Sequence, residues 1–230
     1  MLIIVIATDM KTEQLPGIPQ AFESLRQFAR KPQKRAEEHC ELCSLEIRSE
    51  HPHLIEVTHR KLLCTCDACA LLFSGRAGTK YKRVPRDIRL LANFQITDAE
   101  WEGLLIPINL AFFFQNGQDS RVSALYPSPA GATESLLPLD AWSSIVEANP
   151  VLRQLEPDVE ALLVNRVGQS RGACSPEYYM VPIDVCYKLV GLIRIHWRGL
   201  SGGTEVWQEI GNFFSDLRSK AEIVTEGAHA

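Results

Sequence analysis

The sequence predicts an α+β protein: a small four-cysteine, zinc-ribbon-like module, followed by a larger domain with a mostly antiparallel sheet packed by amphipathic helices. Three observations predict it. Five of the seven cysteines fall between positions 40 and 69. β-rich runs joined by tight turn signals fill the middle of the chain, and two stretches with apolar residues at helical spacing close it. At 230 residues the chain is long enough to bury a full core.

Residues 1–36 are read as a lead-in. The apolar start, residues 1–7, has no basic flank and is too short to cross a bilayer, so a short strand or irregular start is expected rather than a secretory leader. Phe22, Leu25, Phe28 and Ala29 mark one face of a helix ending before Lys31 and Pro32. Residues 37–75 form the expected metal module. Between its cysteine turns, residues 53–57 and 61–64 read as a hairpin turning near His59 and Arg60. The second cysteine turn runs into Ala70, Leu71, Leu72 and Phe73, an apolar patch that needs a packing partner. Residues 76–89, with Gly78 and a basic run, are read as a linker.

The body is expected over residues 90–220, with a tail at 221–230. It opens on Thr97-x2-Glu100, a capping box in which each side chain satisfies an orphan helix amide. Trp101, Leu104, Leu105 and Ile108 supply that helix's apolar face. Residues 109–115 and 121–126 read as a hairpin turning at Asn116 and Gly117. Residues 127–133 read as a Pro/Gly/Ser loop, and Asp140 as the cap of a short helix ending near Asn149 and Pro150. Residues 159–166 and 177–181 are further strands. Ile183, Cys186, Tyr187, Val190, Ile193 and Trp197 recur at helical spacing. After Gly202 and Gly203, Thr204 is read as the cap of a last helix carrying Val206, Ile210, Phe213, Phe214 and Leu217.

Charge separates the two parts. The formal net charge is -4, yet residues 30–89 carry 13 Lys/Arg against 8 Asp/Glu, and the rest carries 11 against 20. A basic module joined to an acidic body follows. A pI near 5.9 argues against a dedicated nucleic-acid binder, so the basic run through Lys80, Lys82, Arg83 and Arg86 is read as solvated linker. Clustered thiols with two left over suit a reducing compartment, and the protein is expected to be cytoplasmic.

The cysteine spacing is Cys40-x2-Cys43, then twenty residues, then Cys64-x-Cys66-x2-Cys69. Each C-x2-C turn aims two sulfurs at one point, and the intervening hairpin brings the pairs together. Cys40, Cys43, Cys66 and Cys69 are the expected ligands, with Cys64 as a substitute or a supporting thiol. Four thiolates close a tetrahedral shell, leaving no open position, so the site is expected to hold the fold together. Zn2+ leads on ligand type and spacing, and iron or an iron–sulfur cluster is the alternative. Ser44 and Ala70 stand where rubredoxin-type knuckles usually carry Gly. His39, His51, His53 and His59 are read as surface or supporting residues and His196 as a core or rim residue. Cys174 and Cys186 are read as free thiols. Phosphate-cradling, zincin and nucleophile-elbow motifs are absent from the sequence.

The motifs CELC at 40–43, HPHL at 51–54, LLCTCDACALLF at 62–73, YPSPAGATES at 126–135, PIDVCY at 182–187 and WRGLSGG at 197–203 together resemble one uncharacterised bacterial family. The resemblance covers residues from about 22 to 218. Members of that family lie beside genes for actinobacterial-type uptake [NiFe]-hydrogenases. The resemblance implies an accessory role in making or serving a hydrogenase, through contact with a hydrogenase subunit or maturation factor. A non-catalytic zinc-binding adaptor is the leading expectation. A rubredoxin-like or iron–sulfur electron carrier is the second, and a zinc-ribbon nucleic-acid binder the third.

Overall fold

The computed structural model describes residues 38–75, 80–135, 139–168, 175–199 and 201–225. The expected helix at 22–29, the Asp140 cap and Cys174 lie outside the described residues and side chains. Among those described, no helix is long and apolar enough to cross a membrane.

Two sheets organise the chain. The small one is built from β1 (His53–Glu56), β2 (Lys61–Cys64), then helix α1 (Asp67–Phe73) and strand β3 (Tyr81–Arg83), in the order β2-β1-β3. Both pairings are antiparallel, with His53 opposite Cys64 and Leu54 opposite both Leu63 and Arg83. Tyr81–Arg83 fall where the sequence suggested linker. Their alternation of Tyr81, Lys82 and Arg83 carries no apolar signal, so pairing with β1 makes this strand and local pattern does not.

The large sheet comprises β4 (Arg89–Leu91), β5 (Leu110–Gln115), β6 (Val122–Ser128), β7 (Gly131–Ser135), β8 (Glu160–Asn165), β9 (Glu177–Pro182) and β10 (Glu222–Val224). Its order is β10-β4-β9-β8-β5-β6-β7, antiparallel throughout except for the parallel β10–β4 pair. The mostly antiparallel α+β architecture is thus present. Residues 127–133, read as a loop, instead complete the β6–β7 hairpin around Pro129 and Ala130, with Gly131 at φ 131°. Pro127 is tolerated because β6 pairs with β5 only through Val122–Leu125, so no N–H is missed on that side.

Helices cover both faces of this sheet. α2 (Asp98–Gly103), α3 (Leu139–Ala148) and a 3-10 turn (Pro150–Gln154) pack on one face, where Phe113, Ala124, Leu162 and Met180 meet Trp101, Trp142 and Ile145. α4 (Ile183–His196) and α5 (Gly203–Lys220) pack on the other, where Phe112, Leu163 and Tyr179 meet Cys186, Leu189, Val206 and Phe214. This explains the near-continuous apolar runs of β5, β8 and β9: alternate side chains enter different cores. The Thr97 capping box forms as expected. α2 ends sooner than the apolar spacing suggested, and Leu105 turns outward with φ 56°. The last helix is capped by Gly202 at φ 87°, and Thr204 sits inside its first turn.

The small sheet shares the α4–α5 core, into which Ile55 and Val84 insert. Polar and cation–π contacts fasten it. His53 bonds Asp184 on α4 at 2.7 Å, Arg60 lies 5.4 Å over the Phe114 ring, and Lys82 pairs with buried Asp158 at 2.7 Å. Lys82 also donates to Pro157 O. Lys82→Glu would place a like charge against a carboxylate only 5% exposed. A loss of about 2–3 kcal/mol is expected in urea unfolding. Unchanged stability would show the pair to be ornamental.

Candidate metal centre

The first cysteine turn is closed by backbone bonds. Ser44 N–H donates to Cys40 O at 2.8 Å and Cys40 N–H to Leu45 O at 2.7 Å. The closure puts Ser44 at φ 62°, a conformation costing roughly 1–2 kcal/mol with a Cβ present. The second turn is the start of α1. Cys66 is its N-cap, and the Cys66 sulfur accepts from Cys69 N–H at 3.4 Å.

Glu41 brings the two turns together. Its N–H donates to Cys64 O at 2.9 Å, while its carboxylate accepts from Cys64 N–H at 2.8 Å and pairs with Lys61 at 3.1 Å. Burial works against ionisation of Glu41, but the Cys64 N–H and Lys61 outweigh it and hold the carboxyl below its ordinary range. Thr65 anchors the same stretch, donating to Pro52 O from both its N–H and its hydroxyl.

The result is a four-sulfur cluster. Ligand atoms of Cys40, Cys43, Cys66 and Cys69 all lie within 4.8 Å of one another. The Cys43–Cys66 sulfur separation is 3.7 Å, against about 3.8 Å for the edge of a tetrahedron with metal–sulfur bonds of about 2.3 Å. The donor set and the spacing therefore fit a tetrahedral thiolate-binding ion such as zinc or iron. Cys40, Cys66 and Cys69 are buried and Cys43 is exposed, with Leu42 and Ile47 packed against the group.

The electrostatics also favour a cation. Burial opposes ionisation of Cys40, yet the N–H groups of Cys66, Leu42 and Cys43 pointing at its sulfur overcome that and lower the thiol to about 6. Burial, then the neighbouring sulfurs of Cys43, Cys66 and Cys40, pushes the Cys69 thiol up. Clustered negative charges repel one another, which opposes deprotonation of all four thiols together. A divalent ion relieves the repulsion and displaces protons, so metal affinity falls as pH falls.

Cys64 does not join the four. β2 ends at Cys64 and Cys66 already caps α1, so Cys64 stays on the sheet opposite His53, and its sulfur and one ring nitrogen each from His51 and His53 lie within 4.8 Å of one another. The backbone of His39 instead pairs with that of Glu46 beside the first turn, and the His59 ring bonds Glu56 at 2.7 Å. His196 bonds Glu205 at 2.8 Å, and Cys186, on α4, is fully buried. Glu41 and Asp184 were not singled out in the sequence, where an isolated acid near a cysteine turn carries no distinguishing pattern. Elsewhere, a mainly apolar cleft of about 510 Å3 is lined by Tyr126, Pro127, Pro129, Trp197, Trp207 and Ile210, among others.

The chain belongs to a family of unknown function, DUF5947, whose model matches residues 39–221. No curated protein and no solved structure matches it.

Proposed function

We propose that this member of DUF5947 is a zinc-binding adaptor that serves [NiFe]-hydrogenase assembly through protein–protein contacts. The observation that carries the adaptor reading is the apolar end of α1. Cys66 and Cys69 begin this short helix, and Leu71, Leu72 and Phe73 at its other end are 66%, 76% and 42% exposed. Three consecutive large apolar residues on a metal-anchored element form a surface suited to a partner. A closed four-thiolate shell supports a structural task for the metal, since no position remains for a substrate. The hydrogenase setting rests on the sequence motifs that resemble the hydrogenase-linked family.

The basic run lends the nucleic-acid reading little support. Lys80 pairs with Glu56 at 3.6 Å and Lys82 with Asp158, so two of its charges already have internal partners. The electron-carrier reading keeps one specific support: N–H groups aimed at the Cys40 sulfur, beside an exposed Cys43, would suit an iron site as well.

The test combines a deletion strain with affinity capture. The deletion is expected to impair hydrogenase maturation, and tagged chain to co-purify with a hydrogenase subunit or maturation factor. Leu71→Ser with Leu72→Ser should cut that capture at least tenfold while the metal is retained, as expected for centrally buried interface residues. Normal assembly together with slowed electron delivery would favour the electron carrier. Salt-sensitive retention on nucleic acid would favour the third class.

A further inference from the structure

We propose that His51, His53 and Cys64 form a second metal site, separate from the four-cysteine centre, that binds a divalent late transition ion of the zinc class. The register explains how they meet. His51 and His53 are two residues apart on an extended segment, and Cys64 lies directly opposite His53 across the β1–β2 pair. All three side chains therefore share one face of the small sheet. One nitrogen from each ring and the Cys64 sulfur fall within 4.8 Å of one another, and the rings meet edge to face with centroids 4.7 Å apart.

Hydrogen bonding fixes which nitrogens are available. His51 Nδ1 lies 2.8 Å from Arg48 O, a carbonyl that can only accept, so Nδ1 carries the proton. His53 Nδ1 lies 2.7 Å from the Asp184 carboxylate and donates to it in the same way. Each neutral ring then has its lone pair on Nε2. The His51 side chain is only 8% exposed, and its Nε2 is buried without a hydrogen-bond partner. A buried acceptor in a native fold needs an occupant, and a metal ion supplies one.

The supporting residues match the donors. A carboxylate or carbonyl on the far nitrogen of a ligating histidine sets the tautomer, aims the ring and raises its basicity. Asp184 and Arg48 O occupy those places. The Glu38 carboxylate lies 3.5 Å from His51 Nδ1, and Glu41 holds the Cys64 N–H, so the surroundings are negative. Two imidazoles and one thiolate select zinc-like ions over magnesium or calcium. With three protein ligands, a fourth position stays open to solvent, in contrast to the closed four-sulfur shell.

The test uses the full chain. Brief chelation should remove metal from the open site first, and Co2+ is then titrated in while zinc retained at the four cysteines is counted in each sample. Failure of one centre is thereby distinguished from failure of the other. Wild type is expected to take up about one Co2+ with thiolate-to-cobalt absorption of one sulfur ligand. That absorption should vanish in Cys64→Ser, and affinity should fall about 10–100-fold in Asp184→Ala through loss of ring orientation. His51→Gln should abolish tight uptake while zinc at the four cysteines persists. Absence of any thiolate-to-cobalt band in chelated wild type, which involves no substitution, would overturn the proposal. A band that survives in Cys64→Ser would overturn it as well.

Discussion

Cys69→Ser is expected to lose the metal of the four-cysteine centre and to loosen the small sheet around it. Cys69 is buried at the first turn of α1, and its N–H is the donor to the Cys66 sulfur. A serine oxygen is a poor fourth ligand for an ion chosen by soft thiolates. In units this small, metal-binding energy is folding energy, about 10–16 kcal/mol for structural zinc in small peptides. The three-stranded sheet has little apolar core of its own: Leu54 and Leu63 are buried, while Ile55 and Val84 belong to the core shared with α4 and α5. Limited proteolysis should therefore cut within residues 38–75 while the large sheet stays resistant. Metal analysis of the same variant should show the loss directly. Cys186→Ala supplies the control: its thiol, on α4, is buried in a core separate from the cysteine cluster, and the metal should remain. Retention of metal by Cys69→Ser would remove that residue from the ligand set.

Phe113→Ala is expected to cost about 3–5 kcal/mol. Phe113 is fully buried in the centre of β5, paired with Ala124 on β6 and Leu162 on β8. Its ring stacks on Trp142 of α3 at 5.1 Å and 20°, and meets Trp101 of α2 edge-on at 6.4 Å and 78°. Truncation leaves a cavity that two indoles from different helices cannot fill by a common movement. For a chain of this size the loss corresponds to a melting temperature lower by roughly 10 °C. A drop of only one or two degrees would show that this face of the sheet is looser than the packing implies.

The parts legible in the sequence are those where local chemistry and tertiary demand agree. The β1–β2 hairpin shows through its two short apolar runs and the polar turn at His59 and Arg60. α2 begins at its capping box because Thr97 and Glu100 satisfy amides within one turn, independently of anything distant. The four sulfurs meet because C-x2-C is itself a geometric device. What escaped the sequence depends on partners far along the chain. β3 has almost no apolar content and exists by pairing with β1. Pro127 looked like a loop signal, since only the short overlap of β5 with β6 shows that its missing N–H is harmless. Cys64 was grouped with the nearest cysteines by spacing, yet the strand ends there and its register with β1 places it with His51 and His53. That pattern was present in the sequence as His51-x-His53 facing a hairpin cysteine, but it needs the register to be visible. Leu71, Leu72 and Phe73 were expected to find a packing partner, yet all three are exposed, with the Phe73 ring at a T-shaped angle to Tyr81 and centroids 6.2 Å apart.

The central claim is that the four cysteines hold zinc as a structural ion. Metal analysis and a visible spectrum of anaerobically purified full-length protein test it most directly. The account predicts zinc that withstands mild chelation, at about one equivalent per chain for the four-cysteine centre, and no colour, because d10 Zn2+ has no ligand-field bands. Stoichiometric iron with thiolate-to-iron absorption, lost in Cys43→Ser, would contradict it and make the chain an electron carrier.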